Sequence, residues 1–190
     1  PALGFLAKWL RRAGFPIEFI VHNTIPHEPR FFDPMLARFT LKQGQQFIVM
    51  NDSEGQRLHD LLMVDLNIIQ CPLPVISAFP DLHITRQDAR EELSLPVDKK
   101  IILFFGIIRP YKGLRDLLTA VGTLKEQGHD LGLIVAGEFW EDKNIYLNFI
   151  KELDILDRVW IIDRYITDRE TSLYFKAANL LFLHFPQDTA

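Results

Sequence analysis

The chain has 190 residues, 48% of them apolar and 24% charged, with a net charge of −4; that balance suits one large globular domain or two small ones. The mild acidity argues against a broad nucleic-acid-binding face and confines any basic site to a local cluster. A single cysteine, Cys71, excludes a disulfide framework and a cysteine metal cluster and fits a reducing, cytoplasmic setting. No apolar run approaches the roughly 18 residues of a membrane span. The opening PALGFLAKWLRRAGF, interrupted by Lys8 and followed by arginines, lacks the order of a signal peptide.

In chain order, Phe5 to Ala13 reads as a helix stopped by Gly14. Ile17 to His22 reads as a strand, and NTIPHEPRFFDP as a proline-punctuated loop. A helix from Met35 to Lys42, a strand from Phe47 to Met50 and a helix through Leu62 opened by Asn51 to Ser53 follow. Asn67 to Cys71 forms a third short strand. Pro72, Pro74 and Pro80 then resist regular structure, so residues 73–84 are expected to link two domains, 1–72 and 85–190. Beyond the prolines the rhythm restarts. Thr85 opens a short helix through Leu93, with Asp88 completing an Asp-type capping box. A strand at 101–105 leads to a helix from Leu114 to Glu126. Leu131 to Ala136 is a strand, Asp142 to Leu153 a helix, and Val159 to Ile162 a strand. Thr167 and Glu170 form a capping box for a helix to Ala178, and Leu180 to Phe185 closes as a strand. Strand and helix alternate throughout, which predicts an α/β fold with parallel sheets.

The most informative stretch is IILFFGIIRPYKG, Ile101 to Gly113. Five consecutive apolar residues ending in glycine read as a buried parallel strand. Gly106 permits a tight turn or a close ligand approach. Arg109 and Lys112 lie just past the strand's carboxyl end, before a helix, where open α/β sheets bind ligands; cations beside backbone N–H groups suit a phosphate or diphosphate. Taken alone, the same residues read sooner as solvated loop cations and an ordinary turn, because most surface charges bind nothing. A dinucleotide-binding Gly-x-Gly-x-x-Gly is absent, and Lys112 is followed by glycine, so no P-loop is present either.

The joint order of these segments looks like a GT-B glycosyltransferase of the large retaining family 4, the glycosyl transferases group 1. The residues that carry the resemblance are FFGIIRPYKGLRDLLTA (104–120), IVAGE (134–138), VWIIDRYITDRETSLYFKAANLLFLHFP (159–186), VHNTIPHE (21–28) and FIVMNDSE (47–54). The resemblance implies two Rossmann-like lobes with parallel sheets, each incomplete here. The family's glycine-rich loop would precede Pro1 and its E-x7-E region would follow Ala190, so this stretch is expected to be an internal piece, inactive alone. It implies a donor substrate, a nucleotide diphosphate sugar, and no cofactor. The acceptor is left open among sugar, lipid and polysaccharide, and peripheral membrane contact is open as well. It further implies that Arg109 and Lys112, beside Gly106, stabilise the leaving diphosphate, and that His22 helps position the reacting sugar or acceptor, although a histidine at a strand end could equally just hydrogen-bond its loop. Gly137 and Glu138 would face the donor, although Glu138 could equally cap the next helix; Asp163 and Arg164 would flank the nucleotide base, and His184 and Pro186 would approach the donor, with Gln187 beginning a further loop. With no Asp-x-Asp in the chain, a metal-independent reaction is expected. His22, His27 and Glu28 carry metal-ligand atoms, but Pro26 breaks any helix that would align them. Phe139, Trp140 and Tyr146 are expected to be packing residues. The rival function is a non-catalytic GT-B-like scaffold or sugar-phosphate binding module.

Overall fold

The computed structural model describes residues 2–26, 30–74 and 79–184, in two compact units divided between Val75 and Ile76. The first unit runs α1 (Ala2–Arg12), β1 (Glu18–Val21), α2 (Asp33–Leu41), β2 (Gln46–Val49), α3 (Asp52–Leu62) and β3 (Ile68–Gln70). Its strands pair in parallel in the order β1-β2-β3. Phe47 and Val49 point from β2 into a core completed by Val21, Leu58 and Leu62. Asn51 caps α3 by accepting from the Glu54 N–H, as its sequence position predicts.

The second unit runs α4 (Arg86–Glu92), β4 (Lys100–Phe105), a 3₁₀ turn at Pro110–Lys112, α5 (Leu114–Glu126), β5 (Leu131–Ala136), α6 (Lys143–Glu152), β6 (Val159–Ile162), α7 (Asp168–Ala177) and β7 (Leu180–Phe182). All four strands are parallel, in the order β6-β5-β4-β7. One face of the sheet, with Phe104, Leu133 and Val135, is covered by Leu117, Leu118 and Val121 of α5 and Ile150 of α6. The other, with Ile101, Leu103, Ile134 and Ala136, is covered by Ala89, Leu173, Tyr174 and Ala177 from α4 and α7. Burial on both faces is why β4 and β5 are continuous apolar runs. Strand order reverses direction at β4: the chain leaves it toward β5 and later returns to its opposite edge as β7. That makes the carboxyl end of β4 the switch point, where the flanking loops diverge and leave room for a ligand.

Three details differ from expectation. The strand expected at 180–185 ends at Phe182, with Leu183 and His184 beyond it. The expected linker is shorter on its second side, because Leu82 and Ile84 pack against the α4/α7 core and Ser172 Oγ donates to the Pro80 carbonyl at 2.7 Å. Arg90, on a helix that reads as polar, is buried. Its guanidinium donates to Ala177 O (2.9 Å), Val97 O (2.5 Å) and Asn179 Oδ1 (2.6 Å), and Asn179 also accepts from the Ile101 N–H. One cation thus ties α4 to the end of α7 and the start of β4. Arg90→Met would leave the buried Ala177 carbonyl without its donor and take one donor from Val97 O and from Asn179 Oδ1, which keeps the Ile101 N–H, and should lower the unfolding free energy by about 1–3 kcal/mol in urea titration. A loss below about 1 kcal/mol would show that the acceptors find other donors. Among the described residues no helix is long and apolar enough to cross a membrane.

Candidate functional site

The site is built on the carboxyl rim of the second unit's sheet. Gly106 leaves β4 at φ +104 and Gly137 leaves β5 at φ +142, conformations that residues with a Cβ rarely adopt. Gly106 N–H donates to Ala136 O and Gly137 N–H to Ile162 O, both at 3.0 Å. The two glycines also press together: a Cβ on Gly137 would stand 2.0 Å from the Gly106 carbonyl oxygen. Beyond them Ile108 and Phe139 form an isolated parallel bridge, with Ile108 N–H donating to Glu138 O and Trp140 N–H to Ile108 O. Asp163, past β6, adds the third tie. Its carboxylate accepts from Lys143 Nζ at 2.8 Å and from the Phe139 N–H at 3.1 Å, and these bonds hold it below the ordinary carboxylate range. The loops after three adjacent strands therefore form one hydrogen-bonded shelf.

The expected cations stand on that shelf. Lys112 ends the 3₁₀ turn and folds back, placing its ammonium nitrogen 3.5 Å from where a Cβ on Gly106 would be. Burial, and secondarily the charge of Arg109, push its pKa below the ordinary lysine value. Among the described residues no carboxylate pairs with it. Arg109 lays its guanidinium over the Trp140 ring, 4.6 Å from the centroid. Helix α5 starts at once behind them. Its N-cap, Gly113, offers no side-chain hydrogen bond, whereas α4, α6 and α7 are capped by Thr85, Asp142 and Thr167. Among the described residues the first N–H groups of α5 thus have no side-chain acceptor, at the positive end of the helix dipole. His184, arriving from β7, packs its ring on Gly113, where a Cβ would come within 2.8 Å of Cγ.

Beside this rim lies a hollow of about 220 Å³ lined in part by Phe105, Gly106, Gly137, Glu138, Arg164 and Tyr165. Four of the expected donor-side residues therefore share one hollow. Glu138 is exposed, and Asp142, not Glu138, caps α6. Arg164 is engaged: it makes a forked pair with Glu170, at 2.9 and 2.5 Å. That fork and two bonds from Thr167 hold the Glu170 carboxyl at about 2. Of the aromatic set, Phe139 and Tyr146 do pack, edge to face at 5.7 Å, and Tyr146 OH donates to Glu141. Trp140 departs from expectation. It is 59% exposed, and what it packs against is Arg109.

In the first unit His22 follows the last residue of β1 and is exposed. Two residues on, Thr24 is buried and donates to Glu54 Oε2 through both its N–H (2.8 Å) and its hydroxyl (2.9 Å). Arg57 donates to the other carboxylate oxygen at 2.9 Å. Buried Glu54 thus pins the loop that carries His22 to the start of α3. His27 and Glu28, with Pro186 and Gln187, lie outside the described residues. Among the described residues no cluster of His, Cys, Asp and Glu could hold a metal ion.

The family model described as Glycosyl transferases group 1 matches residues 85–185, more than half of the chain. The chain belongs to that family. No curated protein sequence matches it. Solved structures similar to this group 1 member include sucrose-phosphate synthase from Thermosynechococcus elongatus (TM-score 0.73, 20% identity, covering 94% of this chain and 47% of that one). HepE from Anabaena, solved with UDP and glucose, has a TM-score of 0.73 at 15% identity, covering 95% of this chain and 49% of that one. WaaG, a glycosyltransferase involved in lipopolysaccharide biosynthesis, has a TM-score of 0.69 at 13% identity, covering 97% of this chain and 57% of that one. The likeness shows the GT-B fold: two Rossmann-like α/β lobes with parallel sheets. The group 1 chain spans about half the length of these structures.

Several contacts that shape the site in this group 1 chain are not legible in the sequence. Glu54 stands three residues after a capping Asn, a spacing that reads as a local box, yet it serves Thr24, 30 positions away. Asp163, expected to flank the base with Arg164, also ties the shelf together, a role that depends on Phe139 and Lys143 arriving from the stretch after β5. Gly113 carried a signal, a glycine between a lysine and an amphipathic helix, but not the identity of its partner His184.

Proposed function

We propose that the second unit holds the diphosphate of a nucleotide-sugar donor, and that the whole protein transfers the sugar to an acceptor with retention and without a metal ion. The observation that carries this reading is Lys112. Folding half-buries an ammonium against a glycine-lined rim, beside a second cation and with no carboxylate to balance it among the described residues. Such an arrangement opposes stability unless an anion completes it. The α5 N-terminus without a side-chain cap adds donors to the same place. Family membership supports the reaction class, and HepE was solved with a nucleoside diphosphate and a sugar.

In this reading the bond from the anomeric carbon to the diphosphate oxygen breaks, and negative charge grows on the leaving oxygens. Lys112, Arg109 and the first N–H groups of α5 stabilise that charge more in the transition state than in the bound donor, which is what accelerates the step. Gly106 and Gly137 keep side chains out of the diphosphate's way. Glu138 and the hollow at Tyr165 take the nucleoside portion. In the first unit, the acceptor side, His22 orients the reacting sugar or acceptor on a loop that Glu54 holds.

Calorimetry with UDP and GDP tests the anion site, and pH supplies the signature. Bound diphosphate favours protonated Lys112, whose free pKa lies below 10.5. Affinity should therefore be full at neutral pH and fall as pH rises through that lowered value, by up to about tenfold per pH unit. Lys112→Arg should move the decline to higher pH, since guanidinium stays charged there. An affinity flat up to the ordinary lysine range, or no binding of either nucleotide, would refute the site. Binding without turnover in the full-length protein would favour the non-catalytic reading.

A further inference from the structure

We propose that Trp140 is a positioning residue for this anion site: its indole holds the Arg109 guanidinium in the orientation that meets the diphosphate. The inference rests on the diphosphate reading above and adds the element that keeps one of its two cations in place. Its basis is the register of the shelf. Ile108 and Phe139 are bridge partners in parallel, so the residues that follow them, Arg109 and Trp140, stand side by side. Trp140 is held from its backbone by its N–H bond to Ile108 O, and the preceding N–H is held by Asp163. The indole is therefore mounted on three tied loops, yet it stays 59% exposed and contributes to neither core. What it meets is the guanidinium, 4.6 Å from the ring centre.

The physical effect is pre-organisation. A free arginine side chain has many rotamers, and ordering it on binding costs affinity. A face-on indole fixes the plane of the guanidinium beforehand, so less of its freedom is lost when an anion meets its edge. It also holds the charge of Arg109 near enough to depress Lys112, so both cations are in place before the ligand arrives. A platform for a sugar ring is the other use of an exposed indole, but the stacked guanidinium occupies a ring face.

The test combines one readout that needs no ligand with one that does. In NMR spectra of the chain, the Arg109 side-chain resonances should be shifted upfield by the indole ring current and should return to ordinary positions in Trp140→Leu. By calorimetry Trp140→Leu should weaken UDP binding by about five- to twentyfold, and Trp140→Phe, which keeps an aromatic face, by no more than about twofold. Arg109→Ala should weaken it at least as much, and adding Trp140→Leu to Arg109→Ala should have no further effect. An unshifted Arg109, full additivity of the two substitutions, or Phe as damaging as Leu would each overturn the proposal. If the ring-current shift is present but the wild-type protein binds no UDP, or Arg109→Ala binds it as the wild type does, the diphosphate reading itself fails, and the positioning role falls with it.

Discussion

On the proposed donor reading, Lys112→Ala in the whole protein should lower kcat/KM for sugar transfer by about 2–4 kcal/mol, roughly 30- to 1,000-fold, while leaving the protein at least as stable as the wild type. The loss follows from where the charge acts. The ammonium sits at the carboxyl end of β4 against Gly106, and in the proposed reaction a charge-assisted contact there strengthens as the leaving diphosphate gains charge. The stability result follows from the same geometry. Burial and Arg109 lower the Lys112 pKa, so folding disfavours the charged form and the unfolded chain binds more protons in the window below 10.5. Wild-type stability should therefore rise as pH increases through that window, and the rise should vanish in Lys112→Ala. A structural lysine would give the reverse pattern, with stability lost and turnover spared. Steady-state kinetics together with thermal melts across alkaline pH separate the two. Unchanged turnover would remove Lys112 from the reaction.

Gly137→Ala should destabilise the second unit by about 3–5 kcal/mol and abolish the proposed nucleotide binding in whatever fraction remains folded. Two costs add here. The backbone at φ +142 strains any residue with a Cβ, and the new methyl would stand 2.0 Å from the Gly106 carbonyl oxygen. That neighbour is main chain, hydrogen-bonded through Gly106 N–H to Ala136 O, so it yields only by moving the end of β4 and with it the rim beneath Lys112. Gly128→Ala is the control: φ is +83, but nothing lies within 4 Å of its Cβ position. It should cost only the conformational term, about 1 kcal/mol. Equal losses for the two substitutions in denaturant titrations would mean that the glycine contact is not what shapes the rim.

Much of this was legible in the chain itself. The limits of α5, β5 and β6 follow from apolar periodicity and continuous apolar runs, and the caps at Thr85, Thr167 and Asn51 follow from side chains that reach only three residues. These are short-range effects, so short stretches of sequence contain them. The ordered cluster Gly106, Arg109, Lys112 at a strand end was likewise visible, because the strand–turn–helix that displays it is contiguous.

What only the tertiary structure decided is which distant groups meet. Arg90 looks like one more charge on a polar helix until α7 and β7 bring Ala177 and Asn179 to it. Glu54 looks like a capping residue until Thr24 arrives from the loop after β1. Trp140 could be placed in a loop but not beneath Arg109, because that pairing depends on the register of two chain segments joined only through the sheet. Local backbone preference and hydrophobic periodicity are properties of neighbouring residues. The burial of a charge, the clamp on a loop and the direction of a cation are properties of contacts across the fold, and those exist only once the sheet has set its strand order.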